Sequence, residues 1–236
     1  MKIILDTHCH TISSGHAYSS LQEMVMQASN IGHELIAITD HGPDIPGGAG
    51  YIHFSNLRIV PKKMYGVEVL KGAEANIIDL DGTLDLQKEV LEELEFVIAS
   101  FHDPCITPGT KEENTSALIN NMKKPYVHAI GHPGNPNFPL DIEKFVKAAK
   151  EYNTLIEINN SSIRPESFRK GSKENCYKIL KKCKEENVAV TLGSDAHISF
   201  DVGNFSSAKE LIKQVNMPEE LIVNTSVEKL KKYISK

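Results

Sequence analysis

Short apolar runs rich in β-branched residues recur along the chain and alternate with stretches of helical spacing. The runs cover residues 3–5, 35–38, 67–73, 96–99, 127–130, 155–158 and 188–192. Runs of this length and composition predict buried strands. Between them, residues 21–30 place Leu21, Met24, Val25 and Ala28 on one helical face. Residues 141–152 do the same with Ile142, Phe145, Val146 and Ala149, and residues 175–186 with Cys176, Ile179, Leu180 and Cys183. Alternating strands and helices imply parallel strands joined by crossovers. The pattern predicts an α/β fold of one domain over residues 1–236, a distorted TIM-like (β/α)7 barrel. Residues 221–224 are a candidate eighth strand, although a Pro-Glu-Glu lead-in argues against it. Residues 42–51, with Pro46-Gly47-Gly48-Ala49-Gly50, and residues 106–115, with Pro108-Gly109, lack periodicity and are expected to form loops rimming a site. The wider segments 42–56 and 105–116 are candidate specificity loops or lids.

Composition narrows the class. A chain of 236 residues, with 40% hydrophobic and 24% charged residues, suits a globular α/β domain with a substantial core. The net charge of -5, counted before any metal binds, argues against a dedicated nucleic-acid binder. Cys9, Cys105, Cys176 and Cys183 form no C-x-x-C pair, and their scatter suits a reducing compartment. The opening Met-Lys-Ile-Ile-Leu-Asp runs straight into a strand, and no apolar run approaches the length of a membrane span. The expected location is cytoplasmic, with no membrane partner. A homo-oligomer is compatible with the sequence.

The chemistry lies at the strand ends. His8, His10, His16, His41, Glu74, His102, His132, Asp195 and His197 are candidate metal ligands, and they include seven of the ten histidines. Imidazole nitrogen and carboxylate oxygen suit Zn²⁺, Mn²⁺ or Fe²⁺. Nine ligands are too many for one ion and about right for three. His8 and His10 alternate with Cys9, so both face the barrel mouth while Cys9 packs away from it. Asp195-Ala196-His197 repeats that spacing at the last strand, which neighbours the first in a closed barrel. Glu74 is expected to bridge two cations, with His102 and His132 completing the second. His16, His41 and His197 would form a third, all-histidine site. Asp40 and Asp103 adjoin ligand histidines and are candidates to orient imidazoles or move protons. Arg58, Arg164 and Arg169 are candidate phosphate contacts, with Arg58 and Arg164 preferred. His33 is read as a turn residue and His128 as a satisfied core residue. His53 lies in the long loop, within potential reach of a substrate.

These motifs, Asp6-Thr-His-Cys-His10, Ile38-Thr-Asp-His41, Gly72-Ala-Glu-Ala-Asn76, His102, Gly131-His-Pro133 and Gly193-Ser-Asp-Ala-His197, resemble those of the PHP (polymerase and histidinol phosphatase) metal-dependent phosphoesterases. Ser14-Gly-His-Ala-Tyr18, Gly131-His-Pro-Gly-Asn-Pro136 and Glu157-Ile-Asn-Asn-Ser-Ser162 look closest to the stand-alone YcdX-type phosphatases. The resemblance implies a (β/α)7 barrel with a trinuclear site, usually zinc. It implies His8, His10, Glu74 and Asp195 on one ion, Glu74, His102 and His132 on the second, and His16, His41 and His197 on the third. The expected function is a metal-dependent phosphatase that hydrolyses a phosphomonoester of a small metabolite or nucleotide with metal-activated hydroxide. Three readings compete with it: a phosphodiesterase or exonuclease, an amidohydrolase-like deacylase, and a non-catalytic metal-dependent regulator.

Overall fold

A computed structural model describes residues 1–234. Strands β1 (Leu5–Asp6), β2 (Leu35–Ile38), β3 (Lys63–Met64), β4 (Val67–Asn76), β5 (Phe96–Ser100), β6 (Ala129–Ile130), β7 (Leu155–Asn159) and β8 (Val190–Gly193) belong to one sheet. Seven of them run parallel in the order β1-β2-β4-β5-β6-β7-β8, and β3 pairs antiparallel to β4 off this path. The result is a nearly closed α/β barrel, as the alternating pattern predicts. The helices are α1 (Leu21–Asn30), α2 (Tyr51–Asn56), α3 (Lys88–Glu93), α4 (Lys111–Met122), α5 (Ile142–Glu151), α6 (Asn160–Ile163), α7 (Ser172–Glu186), α8 (Ser206–Val215) and α9 (Val227–Ile234). None is long and apolar enough to cross a membrane among the described residues.

Inward-facing side chains change character along the strands. At the amino ends, Leu5, Leu35, Leu70, Phe96, Ala129, Leu155 and Ala189 form one apolar cluster, sealed from below by Val227 and Leu230 of α9. The next layer is small. A Cβ on Gly72 would strike the Phe96 carbonyl, one on Gly131 the Ser100 hydroxyl, and one on Gly193 the Glu157 carboxylate. Above this layer come the acids and imidazoles. A second, larger cluster packs the outer faces of the strands against α4, α5, α7 and α8, with Phe145, Leu180 and Leu211 buried in it.

The seam between β1 and β8 corrects one expectation. Residues 221–224 do not form a strand; they sit in two short 3₁₀ turns, Glu219–Leu221 and Val223–Thr225. One parallel bridge joins Ile222 to Val190. The Asn224 amide donates to the Leu5 and Leu192 carbonyls at 3.1 and 2.8 Å, and its Oδ1 accepts from Leu192 N at 2.7 Å. A side chain thus spans the gap that a strand would otherwise fill. At the end of β1, the Asp6 carboxylate accepts from the amides of His8, Ser194 and Gly203, tying the strand to the segments after β8. Further up, Cys9 bridges Ala196, so the His-x-His and Asp-x-His segments lie side by side.

The two irregular segments are also more ordered than their sequence suggests. Residues 106–115 are not all loop. Thr110 and Glu113 form a capping box, in which the Thr110 hydroxyl accepts from Glu113 N and the Glu113 carboxylate accepts from Thr110 N. Helix α4 therefore starts at Lys111. Residues 51–56 of the first segment are helix α2.

Candidate metal centre

The nine proposed ligands converge at the carboxyl ends of the strands. Glu74 is fully buried at their centre. Its Oε2 lies 3.2 Å from His8 Nε2, 3.5 Å from His10 Nε2 and 2.8 Å from His41 Nδ1. Its Oε1 lies 3.3 Å from His102 Nε2 and 2.8 Å from His132 Nε2. One carboxylate therefore addresses two groups of imidazoles, one with each oxygen. Asp195 Oδ1 stands 3.2 Å from His10 Nε2 and 3.7 Å from His8 Nε2. His132 and Asp195 both hold positive φ, 45° and 57°. That conformation is costly for residues with a Cβ and is tolerated where neighbouring structure enforces it.

Hydrogen bonds fix which ring nitrogen faces inward. His8 Nδ1 lies 2.6 Å from Glu157 Oε1, a carboxylate that only accepts, so Nδ1 carries the proton. Ser14 has one hydroxyl proton and gives it to Asp40 Oδ1 at 2.7 Å. Its oxygen is then left to accept from His10 Nδ1 at 3.1 Å. Asn76 gives its amide protons to Asp85, which turns its Oδ1 toward His102 Nδ1 at 2.7 Å. His197 Nδ1 donates to the Asp195 carbonyl at 3.0 Å. In each of these four rings, Nε2 is left with a lone pair.

The Nε2 atoms of neighbouring rings face one another. The Nε2 atoms of His8 and His10 are 3.0 Å apart, those of His102 and His132 3.2 Å, and those of His16 and His197 3.0 Å. Two imidazoles on one tetrahedral zinc, at about 2.1 Å each, place their nitrogens about 3.4 Å apart. Both Glu74 oxygens and His41 Nδ1 are buried without a hydrogen-bond partner. An orphaned carboxylate and facing lone pairs are costly alone and are relieved by a cation. The residues present therefore fit divalent metal held by nitrogen and oxygen.

The titration behaviour agrees. Burial holds the pKa values of His10 and His102 down and brings His132 to about 3, with Arg169 adding to the effect on His132. These rings are neutral at pH 7, as ligands must be. Burial opposes charge on His8 as well, but Glu157, Glu74 and Asp195 outweigh it and raise its pKa. Those three carboxylates favour a positive charge on the His8 ring, and a cation at Nε2 meets that demand as a proton would. Burial would raise the Glu74 and Asp195 carboxyls, yet the surrounding histidines pull both well below the usual range.

The other sequence candidates divide. Asp40 is buried and accepts from Thr11 N, Thr11 Oγ1 and Ser14 Oγ, and it acts on His10 through Ser14 rather than on the adjacent His41 ring. Asp103 orients no imidazole; it accepts from Asn137 Nδ2 at 2.8 Å on the rim. Arg58 is not brought to the centre: it follows α2 and lines a separate depression with Tyr51, Gln87 and Glu93. Arg164 pairs with Asp201 at 3.0 Å, behind the cavity wall. The arginine that reaches the centre is Arg169, which donates to Ser162 Oγ at 2.7 Å and sits 3.9 Å from Asp195 Oδ2. His53 turns toward Asp40 at 3.2 Å, away from the main cavity. His128 accepts from Val97 N at 3.0 Å as a core residue. Cys9 is buried, with its sulfur 3.7 Å from Ser194 Oγ.

Sequence reading assigned no role to Glu157, Ser14, Asn76 or Asn159. Glu157 did carry a signal, an acid inside an otherwise apolar strand. Asn159 Nδ2 donates to Glu157 Oε2 and Asp195 Oδ2, leaving Asp195 Oδ1 to face the histidines.

The PHP domain family matches residues 6–217, and the chain belongs to that family. A probable phosphatase of Acetivibrio thermocellus is 56% identical over 236 residues, covering 100% of this chain and 97% of the relative. A probable phosphatase of Thermoanaerobacter sp. is 54% identical over 99% of this chain and 95% of its own length. Among solved structures, the histidinol phosphate phosphatase of Lactococcus lactis, complexed with zinc, L-histidinol and phosphate, superposes with a TM-score of 0.61 at 18% identity. That match covers 91% of this chain and 94% of the other, and at such identity it speaks for the fold alone.

Proposed function

We propose that this PHP-domain protein is a metal-dependent phosphatase acting on a phosphomonoester of a small molecule. The observation that carries the reading is the set of three imidazole pairs converging through Nε2 around a buried carboxylate with no hydrogen-bond donor. We assign His8, His10, Glu74 and Asp195 to one ion, Glu74, His102 and His132 to a second, and His16, His41 and His197 to a third. His41 stands between the groups, since its Nδ1 also approaches Glu74. Zinc is the favoured ion, and manganese and iron suit the same donors.

Bound divalent ions supply Lewis acidity, activating water for attack and neutralising charge on a phosphoryl group. The chain does the rest. Burial keeps His10, His102 and His132 neutral at pH 7, and Glu157, Ser14 and Asn76 hold the Nε2 atoms of His8, His10 and His102 inward. Arg169 lines a cavity of about 890 Å³ beside His41, His102, Asp195 and His197. It is the cation we assign to a phosphoryl oxygen, in place of Arg58 and Arg164. No side-chain nucleophile is required. The 56% and 54% identical relatives described as probable phosphatases support the same reading.

The test measures hydrolysis by zinc- or manganese-loaded protein of p-nitrophenyl phosphate, a bis-ester and an amide. Phosphate release from the monoester is expected. Inactivity on both esters after verified metal loading would overturn the reading, and cleavage of the amide would point to a deacylase.

A further inference from the structure

The wall of the cavity above the metal centre differs in kind from its floor. The floor carries His16, His41, His102, Asp195 and His197, while the wall carries Tyr18, Ile45, Pro46, Pro104, Phe168 and Ile198. These wall residues follow five different strands, β1, β2, β5, β7 and β8, so apolar surface surrounds the mouth rather than marking one side of it. Tyr18 is 77% exposed and Phe168 81% exposed. Both therefore present open aromatic surface to the cavity beside its polar floor. Arg169 reaches over the Phe168 ring, with its guanidinium carbon 5.1 Å from the centroid, which ties the phosphate-side cation to the aromatic wall.

Charge on the wall points the same way. Arg169 is the one Lys or Arg lining the cavity among the described residues, and it lies at the metal side. Asp103 and Asp201 also line the cavity. Asp201 is matched by Arg164, whereas Asp103 is held by the Asn137 amide. A second anionic group on the substrate would find no cation there and would meet Asp103.

We infer that the alcohol portion of the substrate is a flat or aromatic apolar group without a second anion, seated against Tyr18 and Phe168. Polyphosphates, sugar bisphosphates and carboxylated phosphates are poor ligands by the same argument. The inference rests on the phosphatase reading and narrows it to a substrate class.

The test uses two kinds of readout on the zinc-loaded protein. Calorimetry compares 2-phenylethylphosphonate with ethylphosphonate and 2-carboxyethylphosphonate, none of which can be hydrolysed. Kinetics then compares 2-phenylethyl phosphate with ethyl phosphate, whose leaving alkoxides are similar. The phenylethyl compound is expected to bind roughly tenfold more tightly than the ethyl one. The carboxyethyl compound is expected to bind more weakly than either. In Phe168→Ala and Tyr18→Ala the phenylethyl-to-ethyl affinity ratio should fall toward one. Because the readout is a ratio, any displacement of Arg169 in Phe168→Ala cancels. Equal affinities for the phenyl and ethyl compounds, with ester hydrolysis intact, would overturn this inference and leave the phosphatase reading standing. So would a ratio untouched by both substitutions. Failure to bind or hydrolyse any of the compounds would overturn both.

Discussion

The inner and outer parts of the candidate metal centre are built differently. His8, His10, Glu74, His102 and His132 are at most 5% exposed, and three of those four rings have Nδ1 tied to an acceptor that is itself held: Glu157 by Asn159, Ser14 by Asp40, and Asn76 by Asp85. His16 and His197 sit at the surface end of the cluster, and His197 Nδ1 meets the Asp195 backbone carbonyl at 3.0 Å and the Asp195 Oδ1 at 3.5 Å. The inner candidate ligands are therefore held in place by the protein's own hydrogen bonds. The outer pair depends more on the ion for its geometry. An ion held inside should bind tightly, and one held by the outer pair should exchange more readily with solvent.

The strongest way to break this contrast is to remove its shared element. Glu74→Ala should release two ions together and lower phosphatase activity roughly a thousandfold, since metal assistance is worth several kcal/mol. Metal analysis that still found every ion would end the bridging assignment. A step smaller, Glu157→Ala leaves His8 in place but removes what orients it. Loss of such a partner typically weakens metal affinity or activity about 10–100-fold. Chelator competition should show that loss in an inner ion while the outer one keeps its affinity. His16→Ala is expected to do the reverse, with one ion lost at low chelator concentration and activity falling about tenfold, near the lower end of that range. If the two substitutions gave the same chelation profile, inner and outer sites would not be distinct.

The smallest effect on neutral-pH activity is expected for Asp40→Asn, which acts on His10 through Ser14. Its larger signature is in stability. Hydrogen bonds from Thr11 and Ser14 and the neighbouring His53 and His10 overcome burial and bring the Asp40 carboxyl down to about 2. A folded-state value below the unfolded one of about 3.9 stabilises the fold above pH 4, and that contribution disappears as pH falls through about 2. Denaturation should therefore show Asp40→Asn destabilised by on the order of 2 kcal/mol near neutrality, with the gap closing between about pH 4 and pH 2. A gap that stayed constant through that range would contradict the role given to Asp40.

Much of this plan could be read from the chain because two periodicities carry it. Residues 21–30 show the apolar face of α1 outright. The candidate ligands stand at or just beyond strand ends, where barrels open. Thr110 and Glu113 mark the start of α4, but Pro108-Gly109 beside them is the stronger local signal and reads as loop. Arg58 looked suited to phosphate from its place ahead of Glu74, yet α2 and the turn after it carry it outside the mouth. Arg169 lies far along the chain and reaches the centre through the segment after α6, a path with no periodic signature.

By itself the sequence determined the chemistry available and its approximate address: imidazoles and acids at the ends of apolar runs, in a strand–helix alternation that closes on itself. Those features depend on residue type and near-neighbour spacing, which are local properties. Tertiary structure alone decided which nitrogen of each ring faces inward. It also decided that Asn224 would stitch the seam in place of an eighth strand, and that Arg169 rather than Arg58 would stand beside Asp195. Each of these depends on atoms brought within about 3–4 Å from distant parts of the chain, and hydrogen bonds and ion pairs act only over such distances.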